Sequence, residues 1–189
     1  MTSVRIWGPG VGAVVVLVAT GTWARGSGGA GVDAGLWDSV RPAIEERLVA
    51  QARGEGDGDG DGLGESEPAL RARWFCRAEA LELAEDDTRV RAGVNTLCVE
   101  YGVREKALQE CGGARYPQVL RLERDGVGGG YRVVAQEGPP DGAGYGAWVK
   151  SRFGGLAEAA ADGALSAGPL ERAARAHFGL SADAPVGDC

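Results

Sequence analysis

Histidine is almost missing from this chain. There is one, His177, in 189 residues. A cysteine nucleophile needs a neighbouring base, and nothing in the sequence links His177 to a cysteine. A Ser/His/Asp arrangement fares no better, because its partners cannot be singled out and no Gly-x-Ser-x-Gly elbow exists. Clustered positive charge is also scarce. Lys and Arg total 20 against 27 Asp and Glu, giving a net charge of −7. Phosphate binding needs a basic footprint, so nucleic acid is excluded as a partner class. Gly128-Gly129-Gly130 lacks the following helix that a phosphate cradle requires, and it reads as a turn.

What is present starts at the N-terminus. Ile6 to Ala24 carries no charge and is bracketed by Arg5 and Arg25. Its apolar heart, Val11 to Ala19, is short. It ends in small residues at Ala19-Thr20-Gly21 or Thr22-Trp23-Ala24. A positive start, a short apolar core and a small-residue exit describe a secretory signal. A spanning helix needs about 20 predominantly apolar residues. This stretch reaches that length only by counting Gly8, Pro9, Gly10 and two threonines. Residues 1–24 therefore read as a signal peptide or an N-terminal membrane anchor, with the domain outside the cytoplasm in either case. The first cysteine is Cys76, so the N-terminus offers no thiol for lipid attachment.

The rest divides into a flexible linker at 25–35, one domain at 36–180 and a tail at 181–189. Leu36, Val40, Ile44 and Leu48 recur every four residues, which predicts a helix over 36–52. Pro42 fits that helix if Asp38 or Ser39 caps it and Pro42 falls in the first turn. The Gly/Asp-rich insertion at 54–68 has almost no apolar residues and builds no core. Asp57, Asp59 and Asp61 match the start of a calcium loop, but its twelfth position is Pro68 where a bidentate carboxylate is needed. A solvated linker and weak calcium binding are the two readings. Beyond it, Arg71–Leu83, Arg89–Val103, Pro117–Arg124 and Tyr131–Glu137 read as four strands, the last two a hairpin across Asp125–Gly130. Tyr145, Trp148, Val149 and Phe153 share a helix face. Pro169 to Phe178 reads as a closing helix with Gly179 past its end and His177 at the core edge. The fold class is α+β, the first helix packing on one face of a curved four-stranded antiparallel sheet, with one or two C-terminal helices.

Four cysteines in an exported chain suggest two disulfides. In an antiparallel hairpin facing residues have a constant index sum, and Cys76 and Cys98 centre on Asp87. A loop of Asp86-Asp87-Thr88 places them opposite each other, close enough to bridge. Cys111 and Cys189 remain, as a pair tying down the tail, as free thiols or as links to another chain. Glu45-Glu46 and Asp86-Asp87 read as solvated carboxylates, on a helix's polar side and in a turn. Trp74, Phe75, Tyr101, Tyr131, Tyr145 and Trp148 read as packing residues, with a ligand-lining role open to those on the sheet face away from the first helix.

Trp74-Phe75-Cys76, Leu97-Cys98-Val99-Glu100-Tyr101, Gly130-Tyr131-Arg132-Val133-Val134 and Asp141-Gly142-x-x-Tyr145 together resemble a group of uncharacterised exported actinobacterial proteins. The resemblance covers roughly residues 36–155. It implies a cystatin-like or NTF2-like body, a helix followed by a curved antiparallel sheet. It carries over no catalytic, cofactor-binding or metal-binding residues. The Gln-x-Val-x-Gly hairpin of cystatin inhibitors is absent. The expected function is a non-enzymatic exported domain of binding or structural type, without a cofactor. Its partner is an unknown extracellular protein or ligand, and its membrane contact is limited to the N-terminal segment. The alternatives are an inhibitor-like interaction module using a sheet edge, and an NTF2-like enzyme with an acidic pocket.

Overall fold

The computed structural model describes residues 32–54, 68–126 and 129–189. The leader, most of the linker and the Asp57, Asp59 and Asp61 loop lie outside the described residues. Among the described residues no helix is long and apolar enough to cross a membrane.

The first helix, α1, spans Ala34–Ala52 and starts two residues earlier than its periodicity suggests. Asp33, not Asp38 or Ser39, is the cap, its carboxylate accepting from the Leu36 amide at 2.7 Å. Pro42 therefore sits inside the helix and not in its first turn. Pro42 and Asp38 are both exposed, a position where water can satisfy the Asp38 carbonyl that Pro42 leaves without a helical donor. Val40, Ile44 and Leu48 are buried as the four-residue spacing requires.

The strands β1 (Arg73–Asp86), β2 (Arg89–Arg104), β3 (Ala107–Arg124) and β4 (Tyr131–Glu137) form an antiparallel meander in chain order. A short fifth strand, β5 (Val186–Asp188), runs parallel to β3 from Leu108 to Glu110. The sheet of the described residues is thus mixed and five-stranded, not purely antiparallel and four-stranded, and the expected tail contributes a strand. β3 begins ten residues before Pro117, because Ala107–Tyr116 pairs with β2 in spite of Gly112 and Gly113. Three C-terminal helices follow in place of one or two: α2 (Tyr145–Arg152), α3 (Gly155–Ala161) and α4 (Gly168–Phe178). Gly179 closes α4 at φ 67°, the left-handed conformation that favours glycine past a helix end.

Helices cover both sheet faces. Val40, Ile44 and Leu48 of α1 pack on Ala78, Val90, Ala92, Val94, Leu120 and Leu122. On the other face α2 and α3 bring Val149, Phe153, Ala157 and Ala161 onto Val119, and α4 brings Leu170 and Ala174 onto Val99, Tyr101 and Leu108. Gly93 makes this layer possible, since a β-carbon there would lie 2.7 Å from the Phe153 ring. The face expected to offer aromatic ligand-lining positions is therefore filled by helices.

A directed chain of hydrogen bonds crosses the layers. Thr96 donates to the Tyr116 carbonyl at 2.7 Å and accepts from Gln118 at 3.2 Å. Gln136 donates to Gln118 and to Gln51 of α1, while its carbonyl accepts from Arg47 at 3.2 Å. Each link satisfies a buried or half-buried amide and fixes α1 against β4. On the more exposed end of the sheet Arg89, Glu123 and Arg132 form a cross-strand row of alternating charge.

Candidate functional site

Cys76 faces Cys98 directly, and the two form a disulfide with a Cα–Cα distance of 4.1 Å. The local route differs from the expected one. The β1–β2 turn holds two residues, Asp87 and Thr88, with Asp86 paired to Arg89. A bulge at Leu81, between Ala80 and Glu82, restores the register that brings the cysteines opposite. Cys111 and Cys189 form the second disulfide, so no described cysteine is free. Both bridges fit an oxidising, extracellular setting.

Strand order places β1 at one edge of the sheet, since β2 is its only strand partner among the described residues. The Ala78 amide donates to the Glu45 carboxylate of α1 at 3.3 Å, so it points away from β2. Backbone groups alternate along an antiparallel strand, so Cys76, Ala78 and Ala80 all turn their N–H and C=O groups outward. The short Cys76–Cys98 distance fits this, because close pairs are the non-hydrogen-bonded ones. Beside this edge runs a groove of about 400 Å³, lined by Glu45, Glu46, Val49, Ala50, Arg53 and Cys76. Glu45 and Glu46 were expected to be simply solvated. Glu45 instead bonds the edge of β1, a role invisible until the strand order is known.

A second groove of about 500 Å³ lies between α2 and α3, lined by Tyr145, Val149, Glu158 and Asp162 among others. The Tyr145 hydroxyl donates to Asp162 at 3.1 Å. Burial and that hydrogen bond raise its pKa. Among the described residues two buried polar atoms, Asn95 Oδ1 and the Tyr101 hydroxyl, have no hydrogen-bond partner, and neither residue lines either groove. Burial pushes the Tyr101 pKa up. His177 is exposed, not at the core edge, and meets Phe75 and Phe178 with ring centroids 5.7 and 4.9 Å away. Among the described residues no cluster of His, Cys, Asp or Glu is arranged to hold a metal.

No family model, curated protein or solved structure matches the chain.

Proposed function

We propose that the protein is a non-enzymatic domain working outside the cytoplasm, which recognises an extended polypeptide segment along the outer edge of β1. The observation that carries this reading is the Ala78 amide, buried but turned away from β2 and, among the described residues, held by the Glu45 side chain next to a groove. Strand addition to a sheet edge draws affinity from main-chain hydrogen bonds, with neighbouring grooves setting side-chain preference. Here Val49 and Ala50 supply an apolar strip, and Glu45, Glu46 and Arg53 supply charge. The two disulfides and the Ile6–Ala24 leader support the export half of the proposal.

Selection of a random peptide display library on the full chain tests the recognition half. Enriched peptides should lose binding to Ala78→Pro, which removes an outward amide and spares the ladder to β2. They should also lose binding to Ala50→Trp, which fills the groove from the helix side. Peptides that bind both variants as well as the parent contradict the reading. N-terminal sequencing of the fractionated protein tests export.

A further inference from the structure

We infer that the groove beside α1 is a thiol-exchange site, where Cys76 takes up a thiol carried on a cationic frame as a reversible mixed disulfide. The inference goes beyond edge recognition and stands without it, because no strand has to pair with β1. Access comes from the groove. Cys76 lines it, together with Val49, Ala50 and Arg53. Cys76 and Cys98 are both half-buried, packed at the margin of the core under α1 and not sealed within it. Trp74, Ala78 and Ala80 share a face of β1 with Cys76 by strand alternation, and all three are buried. Cys76 is therefore the residue through which this face of β1 meets the groove.

Strand pairing makes the opening reversible. Phe75 pairs with Val99 and Arg77 with Leu97, on either side of the cysteines. Cys98 pairs in turn with Ala114 of β3. Breaking the S–S bond leaves both sulfurs facing each other in a ladder that extends well beyond them. A partner thiolate attacks Cys76 Sγ, the Cys76–Cys98 bond breaks, and Cys98 leaves as a thiolate that takes up the proton the partner lost. The products are one mixed disulfide and one thiol, with no net oxidation. Attack by Cys98 on Cys76 then expels the partner and restores the bridge. The Cys111–Cys189 bridge lacks this device, because β5 pairs with β3 only from Leu108 to Glu110.

Charge sets the class of thiol. Among the residues lining the groove two carboxylates, Glu45 and Glu46, stand against one cation, Arg53. The attacking sulfur is an anion, so the carboxylates disfavour a thiol that brings further negative charge. They favour one whose own positive charge travels with the thiolate.

Incubating the full chain with cysteamine or with glutathione, quenching with acid and mapping the peptides tests the inference, with the second bridge read separately. The adduct should appear on Cys76 and not on Cys98. At equal thiolate concentration cysteamine should react about fivefold faster than glutathione, and the difference should shrink in high salt. Ala50→Trp narrows the groove and should slow both thiols about tenfold, while Val94 and Thr96 keep their exchange protection. Urea below the unfolding transition should leave the parent's rate unchanged, because access needs no unfolding. That measurement decides by itself if Ala50→Trp does not fold. Adducts on Cys98, cysteamine no faster than glutathione, a folded Ala50→Trp that reacts like the parent, or a rate that climbs with urea would each overturn the inference.

Discussion

The two outer flanks of this sheet are treated in opposite ways. Beyond β3 the flank is sewn shut at one end. The Leu108 amide bonds the Pro185 carbonyl at 2.9 Å, the Cys189 amide bonds the Glu110 carbonyl at 3.0 Å, and a disulfide joins Cys189 to Cys111. Arg175 adds a bond to the Ala184 carbonyl at 3.0 Å. β4 takes up the other end of the same strand, from Val119 to Arg124. At β1, where Ala78 and Ala80 are themselves buried, the hydrogen bond shown among the described residues is that of the Glu45 carboxylate on the Ala78 amide. A covalent staple and a parallel strand make a permanent closure. A single carboxylate hydrogen bond contributes about 1.5–3 kcal/mol at most and leaves with a side-chain rotation. The contrast separates a flank closed covalently from one closed by a side chain that can rotate away.

The largest expected effect comes from unstitching the closed flank. Cys111→Ser with Cys189→Ser removes a cross-link spanning 78 residues, worth about 4 kcal/mol in the chain-entropy model. Chemical denaturation should show that loss. Hydrogen exchange should quicken at Leu108 while the Ala78 region stays as before. Cys76→Ala with Cys98→Ala comes next, at about 3 kcal/mol for a separation of 22 residues. Its exchange signature should be the reverse, loosening β1 and sparing β5. Equal loosening of both flanks by either variant would break the comparison. Glu45→Ala should cost under about 1 kcal/mol in stability yet speed exchange of the Ala78 amide, separating the edge bond from the fold.

The last effect, of similar size, concerns Tyr101 of β2, which pairs with Glu110 of β3 on the closed side. Its hydroxyl is buried without a partner among the described residues, and burial, followed by the charges of Glu110 and Glu171, keeps it protonated above its ordinary value of 10.0. The unfolded chain releases that proton near pH 10 while the folded chain keeps it. Stability is thus full below about pH 10 and falls as the pH rises above it. Tyr101→Phe should remove this slope at no cost, gaining about 1 kcal/mol by deleting an unsatisfied group. Alkaline titration of the thermal midpoint reads both.

Much of this fold was legible before the structure, and the rest was hidden for identifiable reasons. Val40, Ile44 and Leu48 announce α1 by spacing alone, and Tyr131–Glu137 appears with the bounds it has. Cys76 and Cys98 pair as their index sum requires, although the turn is one residue shorter and the Leu81 bulge makes up the difference. The first half of β3 was not legible. Gln109-Glu110-Cys111-Gly112-Gly113 has no alternation, and its pairing with β2 is supplied by the sheet. β5 holds three residues and joins a strand some 78 positions away, a contact that no local pattern encodes. α3 is built from alanines, whose burial against Val119 depends on Gly93 leaving space for Phe153. The candidate site divides in the same way. Glu45 and Glu46 were visible on the polar side of a helix. That they line a sheet edge follows from strand order, which is a tertiary fact.

The measurement closest to the central claim is amide hydrogen exchange at Cys76, Ala78 and Ala80, recorded with and without a peptide selected on the full chain. Edge recognition predicts that these amides become better protected when the peptide binds, while the β2–β3 ladder at Val94 and Thr96 does not change. Exchange at the three amides that is the same with and without bound peptide would contradict it.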